Sequence, residues 1–416
     1  MGQTLSEPVT TKDSSSCANR NFVVGSSCMQ GWRINMEDAH THLLSLPDDP
    51  ETAFFAVYDG HGGARVSQYA GCHLHKCIAQ QPAFAEGRID EAIEKGFLEI
   101  DEKMKADEEM RDDMSGTTAI VVMVKNEVIY CGNVGDSRAV VSVTGTAVPL
   151  SYDHKPANEE EARRIVAAGG WVEFNRVNGN LALSRALGDF AFKRNTRKTA
   201  EEQMVTAWPD VIREELTPNH EFILLACDGI WDVMSNQEVV DFCRDRLAAG
   251  RPPQSICEDL LSRCLAPDCQ MGGLGCDNMT AVLIALTMGD SAETFKAKCE
   301  RPRGELDDEK RFPQPLRTPR MSGGEEMEQR EGLDAEMYHT PQPSPGIAVP
   351  GITVSPEGST RDSQRSNDGT PPSSQSSEAS HDVSSSPRAS QSKNTPLSSQ
   401  KEPDSDDEKP PTEFHT

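Results

Sequence analysis

The sequence predicts a mixed domain of β-strands and α-helices over about residues 20–290, followed by a stretch without a core. Three observations lead there. Apolar runs of strand length recur, and several end abruptly on an acid, as in Phe54-Phe55-Ala56-Val57-Tyr58-Asp59. Between them lie segments with apolar residues at helical spacing, such as Ile89, Ile93, Phe97, Ile100 and Met104. After Asp290 the chain is rich in Ser, Pro, Glu, Asp and Gln. Such a composition cannot offset the entropy of ordering, so residues 291–416 are expected to be a disordered tail.

The chain has 416 residues and a formal net charge of −26, which argues against nucleic acid as a partner. Its 12 cysteines are irregularly spaced and no secretory signal precedes them. They are expected to be reduced thiols of an intracellular protein. Cys264, Cys269 and Cys276 form a loose cluster, but no C-x-x-C pair supports a zinc site. No apolar run approaches the roughly 20 residues of a membrane span.

The N-terminus reads Met1-Gly2-Gln3-Thr4-Leu5-Ser6, a pattern that fits N-myristoylation of Gly2. One acyl chain gives only reversible membrane affinity, and no polybasic patch reinforces it. Residues 1–19 are therefore expected to be a flexible leader, with transient membrane contact if Gly2 is acylated. A cytoplasmic location follows, with membrane association or the nucleus left open.

A strand is expected over Asn21–Cys28. If Arg33 to Glu37 is extended, both side chains share one face and Asp38 takes the other. That pair is either an ion pair or a phosphate clamp beside a metal ligand. Asp59-Gly60-His61-Gly62-Gly63 follows an apolar strand and precedes a helix over about 64–79. Alone, it is equally a turn whose Asp caps that helix. A second helix fits Ile89 to about Met110, whose apolar stripe is core packing. Cys72, His73, His75 and Cys77 belong to the first helix.

Strands are then expected over Thr117–Val124, Val128–Val134 and Ala139–Val143, with Asp136 in the last gap. Asn158 is expected to cap a helix that Gly169 closes. Trp171 to Arg194 reads as a turn-rich flap rather than core. The strand Phe222–Cys227 delivers Asp228, and Ser235 with Glu238 forms a capping box. A helix fits Ile256–Leu265, and Asp277 precedes a last strand, Met279–Leu286. In the tail, Thr318, Thr340, Ser344, Ser355, Thr370, Ser386 and Thr395 precede prolines and suit proline-directed kinases. Ser405, before Asp406-Asp407-Glu408, suits an acidophilic kinase.

Glu37, Asp38, Asp59, Asp136, Asp228, Asp232 and Asp277 all fall in turns at strand ends or in nearby loops. One such acid is ordinary turn chemistry. A cluster of them repels itself and raises its own pKa values, which a divalent cation relieves. All-oxygen ligation points to Mg²⁺ or Mn²⁺. Two such ions could activate water and clamp a phosphoryl group, with Arg33 on phosphate oxygens and His61 as general acid.

In family order, the chain carries Arg33-x-x-x-Glu37-Asp38, Asp59-Gly60-His61-Gly62-Gly63, Ser115-Gly116-Thr117-Thr118 and Gly135-Asp136-Ser137-Arg138. Ser184-Arg185-Ala186-Leu187-Gly188-Asp189, Asp228-Gly229-Ile230-Trp231-Asp232 and Asp277-Asn278-Met279-Thr280 follow. This set resembles the metal-dependent protein Ser/Thr phosphatases (the PPM, or type 2C, family), closest to their animal alpha, beta and gamma branch. The resemblance implies an α+β fold, a four-layer αββα sandwich of two antiparallel sheets flanked by helices. It implies a catalytic domain over about residues 20–290 and two Mg²⁺ or Mn²⁺ ions, with a weaker third.

By motif, Asp59 bridges the two metals and Gly60 lends its carbonyl to one of them. Glu37 lies on that metal's side and Asp38 faces its waters. Asp228 and Asp277 hold the other, and Asp136 and Asp232 match the third position. Arg33 binds the substrate phosphate and His61 protonates the leaving oxygen. The resemblance further implies direct hydrolysis of phosphoserine and phosphothreonine proteins by a metal-bridging hydroxide, without a phosphoenzyme. The chain is expected to act as a monomer. A non-catalytic scaffold and a two-metal nuclease are the competing readings; the intact acids oppose the first and the missing basic groove the second. An acidic surface is expected to favour phosphosites flanked by Lys or Arg.

Overall fold

The computed structural model describes residues 4–269, 273–305 and 311–316, all within the unit Met1–Glu325. Gly2 and the tail phosphosites from Thr318 to Ser405 lie outside the described residues. The first strands are β1 (Thr4–Ala18), β2 (Phe22–Arg33), β3 (Ala39–Leu43), β4 (Ala53–Tyr58) and β5 (Gly60–His61). Then come β6 (Gly116–Thr117), β7 (Ala119–Lys125), β8 (Val128–Val134), β9 (Arg138–Val143) and β10 (Thr146–Pro149). The rest are β11 (Val172–Glu173), β12 (Arg176–Val177), β13 (Leu187–Gly188), β14 (Asp210–Glu215), β15 (His220–Ala226) and β16 (Met279–Leu286).

Two antiparallel sheets carry the fold, one ordered β1-β2-β16-β15-β9-β10 and the other β14-β8-β7-β4-β3. Strands such as β4, β7 and β16 are apolar on both faces, and the two-residue period sends alternate side chains into different cores. Phe55, Val57, Ile120, Val122, Leu225 and Ile284 meet between the sheets. Phe54, Tyr58, Val121 and Met123 face the other way, against Leu74, Ile78, Ile93 and Phe97 of helices Arg65–Ala79 and Ile89–Ala106. On the far side, Leu224, Met279 and Leu283 pack on Val240, Ile256 and Leu260 of helices Asn236–Ala248 and Pro253–Cys264. Three cores in series make four layers, helix–sheet–sheet–helix. Each fully buried residue of this kind, such as Phe97, contributes about 2–3 kcal/mol.

Several elements differ from the sequence reading, each for a local reason. The segment 4–18, expected as a flexible leader, is β1, paired antiparallel with β2. Backbone pairing and serine contacts (Ser14 with Ser27 at 3.0 Å, Ser15 with Ser26 at 2.9 Å) hold it at the sheet's edge, without the apolar alternation that marks a strand. The ordered domain also passes residue 290. Ala292–Cys299 is a helix whose Phe295 and Cys299 join the outer core, the Gly304 N–H donates to the Thr144 carbonyl, and the Leu316 N–H donates to the Val211 carbonyl. The second helix stops at Ala106, because the Asp107 carboxylate accepts from the N–H groups of Glu109 and Met110 and starts a new turn. Asn158 does not cap its helix; its amide donates instead to the Asp153 carbonyl at 2.9 Å. The Ser235–Glu238 capping box is present. Cys269 and Cys276, expected as free thiols, form a disulfide with Cα atoms 6.0 Å apart, within ordinary disulfide reach.

The flap expected over 171–194 is only partly a flap. Its β11–β12 hairpin presents Phe174 at 88 % exposure with φ +52°, but Leu183 to Phe190 is buried. An ion network fixes that buried run. Arg164 clasps Glu161 with two bonds of 2.8 Å, Arg185 reaches Glu161 and Asp210 at 2.8 Å each, and Ser184 donates to Glu161 at 2.6 Å. Burial alone would raise the Glu161 pKa, but Arg185 and Arg164 hold it well below the usual carboxylate range. A depressed folded-state pKa stabilises the fold above the unfolded value of about 4.3 and loses that effect as pH falls through the folded value. Glu161→Gln should therefore cost about 3 kcal/mol at pH 7, read by urea denaturation, with the deficit shrinking below about pH 4. An unchanged midpoint at pH 7 would show that the network does not support the fold.

Candidate active site

The acids arrive on strand ends, and a few polar residues fix where those ends meet. Asp59 follows β4 directly; its N–H donates to Thr118 Oγ1 at 3.1 Å, and its carbonyl accepts the Thr118 N–H at 3.0 Å. Thr118 Oγ1 lies 2.7 Å from Ser137 Oγ, which ties the Asp136 turn to the same point. On the other sheet, Asn278 binds the loop that follows β2. Its Oδ1 accepts the Glu37 N–H at 3.0 Å, and its amide donates to the carbonyls of Gln30 (2.8 Å) and Asn35 (3.0 Å). Ser67 Oγ donates to the Glu37 carbonyl at 2.5 Å. A Cβ on Gly60 would overlap that same carbonyl, so only glycine lets the two segments touch.

A three-stranded ribbon, β13-β6-β5, then builds the histidine corner. His61 pairs with Gly116, and Gly116 with Gly188, which brings Asp189 beside the imidazole. His61 Nε2 and Asp189 Oδ2 are 2.7 Å apart. A Cβ at Gly116 would overlap both side chains, so glycine is required there as well. Burial lowers the His61 pKa, but Asp189, with Asp136 and Glu37 behind it, outweighs burial and leaves it raised.

The cleft has a volume of about 360 Å³, and its walls include Arg33, Asp59, His61, Asp136, Asp228 and Asp277. Arg176, Asn180 and Leu183 from the flap close one side. Arg33 holds Asp277 at 2.5 Å while remaining 39 % exposed, so its guanidinium has donors left for a ligand. Asp38 Oδ2 accepts from Thr280 Oγ1 at 2.6 Å, and its Oδ1 is buried without a partner. Burial pushes the Asp38 pKa up to about 7. Asp59 is raised well above the usual range by burial and then by Asp228, Asp38 and Asp277. Asp228 is raised by burial and then by Asp136 and Asp277.

These carboxylates fit a hard cation. One buried acceptor is orphaned, the Asp38 and Asp59 oxygens lie within 4.8 Å of one another, and their charge is uncompensated. Cys227 Sγ shares that cluster, but burial and the neighbouring acids push its thiol up, and it donates to the Asn278 carbonyl. It behaves as a protonated packing residue, so the donor set is oxygen. Asp136 is already ion-paired with Lys155, and Asp232 stands at the exposed margin, its pKa raised by burial despite Lys155.

The structure thus gathers Arg33, Asp38, Asp59, Gly60, His61, Asp228 and Asp277, with the Glu37 backbone against Gly60. Sequence reasoning gave no role to Asp189, Lys155, Cys227, Thr118 or Asn278. Asp189 and Asn278 did stand inside quoted motifs, but nothing in a linear spacing says which side chain a ribbon register will bring to His61. Lys155, in a polar turn 19 residues after Asp136, carried no signal.

Comparison with known proteins agrees with this geometry. The protein phosphatase 2C family profile matches residues 22–271. The chain is 72 % identical over 302 residues to a probable protein phosphatase 2C of Caenorhabditis elegans, covering 73 % of this chain and 85 % of that one. It is 51 % identical over 300 residues to a protein phosphatase 2C homolog of Schizosaccharomyces pombe, covering 71 % and 81 %. A crystal structure of a phosphatase from Toxoplasma gondii superposes with a TM-score of 0.57 at 27 % identity, covering 66 % of this chain and 96 % of that one. A buried acid cluster beside an Arg and a paired His, on this sandwich and with these relatives, leads to one assignment: the chain belongs to the protein phosphatase 2C family of protein serine/threonine phosphatases.

Proposed function

We propose that the cleft hydrolyses phosphoserine and phosphothreonine esters of proteins with the help of Mg²⁺ or Mn²⁺. The observation that carries this reading is the mutually repelling set Asp38, Asp59, Asp228 and Asp277 beside Arg33 and His61. Asp59 would bridge two ions; Glu37, Asp38 and the Gly60 carbonyl would serve one side, and Asp228 and Asp277 the other. When bound, the two ions would lower the pKa of a shared water and supply hydroxide, so that hydrolysis is direct and passes through no phosphoenzyme. A third ion at Asp136 and Asp232 would have to displace the Lys155 ammonium, which explains why that position should be weak.

The chain's own residues do the remaining work. Arg33 orients the phosphate through donors that Asp277 does not occupy. With Nε2 held by Asp189, His61 Nδ1 is the nitrogen available to give a proton to the departing Ser or Thr oxygen. Asp189 keeps that ring charged and aimed. The flap residues Arg176 and Asn180 line one side of the cleft.

Three outcomes are expected. A phosphothreonine peptide should be hydrolysed with Mn²⁺ and not after chelation; Asp59→Asn should lose at least about 100-fold in kcat, and near-wild-type turnover would remove the bridging role. Asp189→Asn should slow that peptide by about 10-fold or more, yet barely affect p-nitrophenyl phosphate, whose leaving group needs no proton. Equal losses on both substrates would count against His61 as the acid. In thermal scans, saturating Mn²⁺ should raise the wild-type Tm by about 5–10 °C, from roughly 2.7 kcal/mol at 100 times Kd. Asp59→Asn should lose that response while melting no earlier than wild type without metal, since a buried repulsion is gone; a full response in the variant would contradict the ligand assignment.

A further inference from the structure

A second cavity, larger than the acid cleft at about 640 Å³, lies across Phe190, which lines both. Its walls are the end of helix Ile89–Ala106, the Arg111 turn, and the segment 193–203 that follows Phe190–Phe192. In a chain of net charge −26 this cavity is basic. Lys105, Arg111, Arg194 and Lys198 stand on its rim against Glu102 and Asp112. A fifth cation, Lys193, is consumed in the floor, donating to both Asp101 oxygens and to the Ala186 carbonyl at 2.8 Å each.

The rim cations are not consumed. Lys105 is 3.4 Å from Glu102, Lys198 is 3.5 Å from Glu202, and Arg111 is 3.9 Å from Asp112. Arg194 has no ion-pair or hydrogen-bond partner among the described residues, and it is exposed. Long, solvated pairs of this kind are worth at most about 1 kcal/mol, so an incoming anion can recruit them at little cost. Guanidinium groups grip phosphate or carboxylate with paired donors.

The position fixes what the anion belongs to. Asp189 holds His61, and Lys193 stands four residues later, so the backbone between them spans at most about 14 Å. The 3-10 turn Phe190–Phe192 shortens that span, so an extended substrate covers it in no more than about four residues, with Arg194 and Lys198 following Lys193 on the rim. Resting on the phosphatase reading above, we propose that this cavity is a substrate subsite for an anionic side chain, phosphorylated or carboxylic, about four residues from the scissile phosphoresidue. It reverses the preference for Lys- or Arg-flanked sites that net charge alone suggests.

The test uses the full chain with Mn²⁺ and a set of phosphothreonine peptides. Glu-Glu, Ala-Ala or Lys-Lys is placed four and five residues away, on either side of the phosphothreonine. The subsite predicts a KM about 3- to 10-fold lower for Glu-Glu than for Ala-Ala on one side, with kcat little changed. The double substitution Arg194→Glu with Lys198→Glu should abolish or invert that preference while leaving p-nitrophenyl phosphate hydrolysis intact, which also shows that the variant is folded. Equal KM values for the Glu and Ala peptides on both sides, or a preference that survives charge reversal, overturns the subsite alone. Failure of the wild type to hydrolyse p-nitrophenyl phosphate overturns the phosphatase reading and the subsite with it.

Discussion

Placing several carboxylates together at the ends of buried strands is electrostatically unfavourable, and the rest of the structure is arranged around that fact. Asp59 and Asp228 are raised well above the usual range, by burial first and by each other and their neighbours second. Two unit charges 4 Å apart repel by about 4 kcal/mol at an effective dielectric constant near 20. Among the described residues no cation forms an ion pair with Asp38, Asp59 or Asp228, although Arg33 and Lys155 pair with Asp277 and Asp136 at the edges. The site is therefore unfavourable as a set of anions and favourable as a cation cage. In the proposed reading, that polarity is what equips a sandwich of ordinary apolar cores for metal-assisted phosphate chemistry.

The rigid parts hold the acids against their repulsion. Thr118 grips Asp59 through both backbone groups, and Asn278 spends its whole amide on the loop that carries Glu37 and Asp38. The ribbon β13-β6-β5 does the same for His61 and Asp189. Behind it, the Glu161–Arg185–Asp210 network anchors the run that ends in Asp189. Reactive geometry thus rests on neutral amides, hydroxyls and close glycine contacts more than on the charged groups themselves. The charge pattern then changes sign past Phe190, which lines both the acidic cleft and the cavity rimmed by Lys105, Arg111, Arg194 and Lys198.

Much of this was legible in the chain. The strands β4 and β16 and the Phe222–Ala226 part of β15 announce themselves as apolar runs because both faces are buried, and the acids beside them mark one side of the sandwich. What escaped is what has no periodic signature. β1 is polar and held by backbone pairing, so its composition reads as a loose leader. β14 has four charged residues among its six, with Arg213 and Glu215 exposed. The helix after Asp290 buries only Phe295, Lys298 and Cys299 of its eight residues, too few to mark a stripe. At the site, Asp59 and Asp228 could be read from position alone, whereas the partnership of His61 with Asp189 depends on a register between two-residue strands 128 positions apart.

Because burial and mutual repulsion raise the inner carboxylates, a cation that binds among them should displace protons. Calorimetric titration of the metal-free protein with Mn²⁺ at about pH 6.5, repeated in buffers of different ionisation enthalpy, counts the protons exchanged on binding. With Asp59 and Asp228 raised well above their usual range and Asp38 near 7, binding should release about one proton or more per protein, and the number should fall as pH rises. Binding with no proton release at pH 6.5 would mean that the acids are already ionised, and that their mutual repulsion is not what makes this cleft a metal site.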